Sequence, residues 1–117
     1  MKIFAQTLNL KDDPEIIKQY VAYHKSTWPE VLKSLHSVGV IDMKIFLLGR
    51  RLFMYMTATD SFNPNVDFPK YLTLHPKCQE WEDLMGTFQE PVEEAKEGEK
   101  WAMMDQVFDM EAQMKAL

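Results

Sequence analysis

A single cysteine, Cys78, stands in the 117 residues of this chain. It excludes an internal disulfide framework and a cysteine-based zinc site, which needs several thiolates. The four glycines are scattered, so no glycine-rich loop can cradle a phosphate. No serine occupies a nucleophile elbow, and no His–carboxylate set has metal-ligand spacing. Basic residues are outnumbered, 13 against 18, for a net charge of −5. Nucleic acid is therefore a poor partner, because its binding depends on neutralising phosphates with Lys and Arg. Met1–Gln6 carries no apolar leader stretch, and no apolar run reaches the length of a membrane span. The expectation is a reduced, cytoplasmic compartment, with neither nucleic acid nor membrane as partner and no cofactor or metal.

Apolar residues, by contrast, are plentiful at 46 %, and three Trp, four Tyr and seven Phe can build a core. The length suits one domain, and a domain this small gains from burying more surface against a second copy. The Lys2–Leu10 stretch alternates and reads as a strand. Asp13-Pro14-Glu15 is a helix start: a capping carboxylate, a proline at the first helical position and an acid near the positive end of the dipole. That helix should end near Thr27, because Trp28 precedes Pro29 and residues before proline avoid the helical region. A second helix is expected from Pro29 to about Gly39. Ile41–Leu48 and Leu52–Thr59 read as strands of a hairpin turning at Gly49-Arg50-Arg51. Asp60–Asp67 reads as a polar loop and His75–Phe88 as a helix. Glu90–Lys100 reads as a charged, mobile stretch and Trp101–Met110 as a last strand. The order β-α-β-β-α-β is the split βαβ arrangement of a ferredoxin-like α+β fold with an antiparallel sheet. Helices on one face would leave the other needing a cover, which two sheets packed face to face supply as a dimeric α/β barrel. Residues 1–110 make the domain and 111–117 an amphipathic tail.

The chemistry-bearing residues concentrate in the first helix. Tyr20 and His24 are four apart and share one face. A phenol and an imidazole there can bond neighbouring oxygens of a polyol, and histidine exchanges protons near neutral pH. The same spacing also suits two half-buried aromatics satisfying local hydrogen bonds. Trp28 and Trp81 could stack on a pyranose face or simply pack the core or an interface, and Trp101 reads as core. His36 suits a helix C-terminus and His75 a helix start. The nine methionines read as gap fillers.

Together these segments resemble the L-rhamnose mutarotase family. The resemblance rests on Tyr20-Val21-Ala22-Tyr23-His24, Trp28-Pro29-Glu30, Gly39 before a strand and Leu52-Phe53. It continues through Cys78-Gln79-Glu80-Trp81 and Gln106-Val107-Phe108, and so spans nearly the whole chain. It implies a ferredoxin-like subunit that dimerises through its sheets, with one sugar site per subunit. It implies that His24 is the catalytic acid/base and that Tyr20 contacts the sugar. A tryptophan pair lines the family's site. Trp81 matches its first member, but Glu82 holds the second position, and Met43 replaces a family tyrosine near the start of the second strand. Thioether and carboxylate in place of phenol and indole change hydrogen bonding and stacking. Trp28, Trp81, Met43 and Glu82 are thus the expected substrate contacts beside Tyr20, and both L-rhamnose and L-fucose stay open as substrates.

The expected reaction opens the pyranose and recloses it on the other face of C1. His24 would protonate the ring oxygen, Tyr20 would orient the anomeric hydroxyl and Trp81 would supply an apolar wall. Other functions use the same dimeric fold. A cofactor-independent oxygenase or haem-binding protein would consume oxygen or bind hemin. A non-catalytic small-molecule-binding module would bind sugar without accelerating anomer exchange, and a structural dimer module would bind none.

Overall fold

The computed structural model describes residues 1–117. Strand β1 (Lys2–Leu10) is followed by helices α1 (Pro14–Lys25) and α2 (Pro29–Ser37), then by the hairpin β2 (Val40–Leu48) and β3 (Arg51–Ala58). Helices α3 (Pro64–Thr73) and α4 (Pro76–Gly86) lead to two short strands, β4 (Gln89–Glu90) and β5 (Ala102–Met103). A short helix α5 (Met110–Lys115) ends the chain. The sheet is antiparallel with order β2-β3-β1-β4, and β5 also pairs with β1. This is the expected ferredoxin-like α+β arrangement.

Local chemistry sets the helix ends. Asp13 accepts a hydrogen bond from the Glu15 N–H at 2.9 Å and Pro14 occupies the first turn of α1. His75 caps α4, its Nδ1 accepting from the Lys77 N–H at 3.0 Å. Gly39 joins α2 to β2 at φ +113°, a conformation that side-chain-bearing residues avoid. A Cβ there would lie 2.7 Å from Thr59 Oγ1.

Two expectations change. Asp60–Asp67 is a loop only as far as Asn63, which caps α3 by accepting from the Asn65 N–H. Pro64 then opens a helix that the polar composition hid, and Pro69 is tolerated inside it. The expected strand Trp101–Met110 shrinks to Ala102–Met103. Its apolar residues suit a strand, but after the Met104 N–H donates to the Ala5 carbonyl the chain leaves the sheet, and Val107 and Phe108 end up exposed. The sheet's fourth strand is instead divided. β4 pairs with Asn9 and Leu10 and β5 with Gln6 and Thr7, both on the same edge of β1. The intervening residues 91–101 loop out as a strap. The charged strap is held at buried Val92 and by the ion pair of Lys100 with Glu82 of α4.

All helices but α5 pack on one face of the sheet. That face presents Leu8 and Leu10 of β1 and Leu52, Met54, Met56 and Ala58 of β3, all buried with Tyr20, Val31, Tyr71, Trp81, Met85 and Phe88. The opposite face has no helix over it. Ile3, Phe46, Leu48 and Tyr55 are exposed there, and Phe46 stacks on Phe53 with centroids 6.1 Å apart.

Candidate active site

Between helices and sheet lies a cavity of about 460 Å³. Its floor is sheet: Ile45, Met54 and Gln6 form one row across β2, β3 and β1. Its walls are Tyr20 and His24 from α1, Val31 and Leu35 from α2, Tyr71 from α3, and Trp81, Glu82 and Met85 from α4. Gln89 of β4 and Gly98, Lys100 and Trp101 of the strap complete it. A second cavity of about 440 Å³ between α2 and β2 shares His24, Met43 and Trp81 with the first.

The i,i+4 spacing of Tyr20 and His24 brings their rings to 4.2 Å between centroids. His24 Nδ1 lies 2.8 Å from the Tyr20 carbonyl oxygen. A carbonyl can only accept, so Nδ1 carries the proton, and in the neutral ring Nε2 keeps its lone pair. Burial lowers the pKa of His24 below its ordinary 6.5, only partly opposed by this bond to the backbone. At neutral pH the imidazole is therefore uncharged and able to accept a proton.

Tyr20 is buried, and burial pushes its pKa up to about 12. A weak bond of 3.5 Å from Gln89 Nε2 to the phenol oxygen pulls the other way, and the charge of Glu82 adds to the rise. The phenol stays protonated across the physiological range, a neutral hydrogen-bond donor.

Trp81 meets His24 edge-on at 5.3 Å. Trp28 does not line the cavity. It stands behind Trp81 at 5.1 Å and 71°, with Lys77 Nζ 5.1 Å over its own ring. Of the expected contacts, Tyr20, His24, Trp81, Met43 and Glu82 therefore share the cavity, and Trp28 supports one of them. Glu82 pairs with Lys100 of the strap at 3.6 Å.

Four polar wall residues lay outside the sequence reading: Gln6, Tyr71, Gln89 and Lys100. Gln6 had a signal, since it is the polar member of the inward series Phe4, Gln6, Leu8, Leu10. Tyr71 stands on the helix that composition concealed. Gln89 and Lys100 reach the site only because the fourth strand is divided. The resulting space holds a neutral base, neutral donors, an indole wall, the Glu82–Lys100 ion pair and a floor apolar except at Gln6, a set suited to moving protons on a small polyol with an apolar substituent. No group of three or more His, Cys, Asp or Glu side chains converges as a metal site would.

A family model described as L-rhamnose mutarotase matches residues 3–110. The chain is 47 % identical over 113 residues to a UPF0734 protein of Dictyostelium discoideum, covering 94 % of this chain and 90 % of that one. It is 34 % identical over 110 residues to an L-fucose mutarotase of Xanthomonas campestris pv. campestris, covering 92 % and 87 %. Among solved structures, an L-rhamnose mutarotase from Formosa agariphila superposes with a TM-score of 0.66 at 19 % identity, over 94 % of this chain and 99 % of that one. Tetracenomycin F2 cyclase from Streptomyces glaucescens gives 0.58 at 17 %, over 93 % and 96 %. At such identities these two structures speak to fold, and the different activities in their names show that the fold does not by itself set the reaction.

Proposed function

The chain belongs to the L-rhamnose mutarotase family, and on that footing we propose that it interconverts the α and β anomers of a 6-deoxyhexose, L-rhamnose or L-fucose. It is a carbohydrate isomerase, working by acid–base opening and reclosure of the pyranose. The observation that carries the mechanism is the bond between His24 Nδ1 and the Tyr20 carbonyl, which leaves a neutral imidazole with Nε2 free at the cavity.

His24 Nε2 takes the proton of the C1 hydroxyl. The C1–O5 bond breaks with its electron pair going to O5, C1 becomes the aldehyde carbon, and the imidazolium returns the proton to O5. His24 thus protonates the ring oxygen as expected, but with a proton drawn from the sugar itself. Rotation about C1–C2 presents the other carbonyl face, and O5 adds back as the proton transfers reverse. Tyr20, held protonated, donates to a sugar oxygen and fixes the pose. Trp81 walls the apolar face of the ring, and Trp28 keeps Trp81 in place. Met43 accommodates apolar substituents, and Glu82 accepts from a hydroxyl at the edge. A positioned acid–base group contributes about 10²–10⁴-fold, a scale fitted to a reaction that already runs in water.

The open sheet face supports a homodimer built sheet to sheet around residues 1–110, with residues 111–117 as a tail. No helix is long and apolar enough to cross a membrane, and a cytoplasmic setting accords with the single cysteine. The direct test is NMR saturation transfer between the anomers of L-rhamnose and of L-fucose with trace protein. Faster exchange of either sugar supports the reading and names the better substrate. Exchange of both at the buffer rate, with protein folded, would refute it.

A further inference from the structure

Gln6 and Tyr71 are polar side chains 6 % and 5 % exposed, and both line the cavity. Neither side chain hydrogen-bonds an oxygen or nitrogen of the protein. The Tyr71 hydroxyl has the Cys78 thiol as a weak hydrogen-bond partner, and the Glu82 charge also acts on it. Yet no fully enclosed side-chain oxygen or nitrogen in the molecule lacks a partner, so these two groups open onto the cavity space.

The placement of Gln6 is not one that core packing asks for. It sits in a cross-sheet row between Met54 of β3 and Met103 of β5, with Ile45 beyond Met54. A methionine or leucine would pack there, whereas an amide carries donors and an acceptor that the protein leaves to the cavity. Tyr71 stands likewise beside Phe68 and Leu72 of its own helix, where phenylalanine would fill the same volume. Two polar groups that bond no protein oxygen or nitrogen and open onto one cavity have the form of a site whose partners arrive with a ligand.

We propose that Gln6 and Tyr71 are the residues that read the ring hydroxyls of the sugar and so set which pyranose is accepted, an assignment that rests on the mutarotase reading. The Gln6 amide offers donors and an acceptor side by side, which suits two vicinal hydroxyls. The Tyr71 hydroxyl serves a further one. L-rhamnose and L-fucose differ in configuration at C2 and C4, so a reader of hydroxyl positions separates them where an apolar wall cannot.

The test uses Gln6→Met and Tyr71→Phe, which keep shape and remove the polar groups. Wild type and variants are compared by thermal unfolding, by Trp fluorescence titration with each sugar, and by anomer exchange. The variants should hold or raise the melting temperature and weaken sugar binding about tenfold or more. KM should rise with kcat changed little, and the preference between the two sugars should narrow. A lowered melting temperature with unchanged affinity and preference would make both residues structural and overturn the assignment. If wild type binds a pyranose without accelerating exchange, the mutarotase reading fails and the binding titrations still judge Gln6 and Tyr71. If it binds neither sugar, both fail.

Discussion

His24 is the residue on which the chemistry turns, and its protonation makes a signed prediction. Its pKa lies below 6.5, through burial first. As a base it must be neutral, so kcat/KM should be flat above pH 6.5 and fall only at more acid pH, along a limb displaced below the ordinary histidine value. A residue needed in its protonated form would lose activity as pH rises instead, and a rate profile over pH 4–9 (about that span covers both limbs) separates the two. The same depression acts on stability. The unfolded chain takes the proton first, so the contribution of His24 to stability is present above pH 6.5 and is lost as pH falls through the folded-state value. Behind it, Trp28→Ala should loosen Trp81 and raise KM while leaving the pH limb in place, because Trp28 touches Trp81 rather than the cavity. The pairing of Tyr20 with His24 was legible in the sequence because one helix face carries both. The protonated nitrogen of His24 was not, since it depends on a backbone carbonyl 2.8 Å away.

Elements that announce themselves by local chemistry were readable. The Pro14 and Pro29 starts, the His75 cap and the Gly49 turn all lie within a residue or two of where side-chain and backbone preferences put them. Helix α3 was not, because Asn63 and Asp67 make its first turn look like loop. There the Asn63 N–H donates to Asp67 Oδ2 at 2.7 Å while the Asn63 side chain accepts from Asn65, a reciprocal cap written in loop-forming residues. The divided fourth strand escaped for another reason: pairing partners on β1 are tertiary facts, and Val107 and Phe108 have strand-forming side chains without a neighbour to pair with. At this scale Gly39→Ala is the telling substitution. Its φ of +113° and the approach of Cβ to Thr59 Oγ1 should cost about 1–3 kcal/mol from the backbone alone. Chemical denaturation should show that loss, whereas Gly49→Ala, with open space around its Cβ, should lose less.

For the whole molecule, the sheet is the divide. One face is closed by four helices and holds the cavity, while the other leaves Phe46 57 % and Leu48 84 % exposed on the β2–β3 pair. Under the proposed sheet-to-sheet dimer, this apolar face is where the second copy packs. Light scattering of the purified protein should therefore report a dimer, and Phe46→Asp should shift it to monomer by placing a charge in the contact. A monomeric wild type would contradict the sheet-to-sheet arrangement. Residues 111–117 were legible only as an amphipathic tail, and Val107 and Met110 were read as strand; all of them, Met114 included, lie exposed because nothing within one chain buries them.

The most direct test compares wild type with His24→Ala in the same saturation-transfer experiment, on L-rhamnose and L-fucose, with folding of the variant checked by circular dichroism. A mutarotase that works through His24 exchanges at least one sugar far faster than buffer and loses that acceleration in the folded variant. Equal acceleration by both proteins would contradict the role assigned to His24, and no acceleration by wild type would contradict the activity itself.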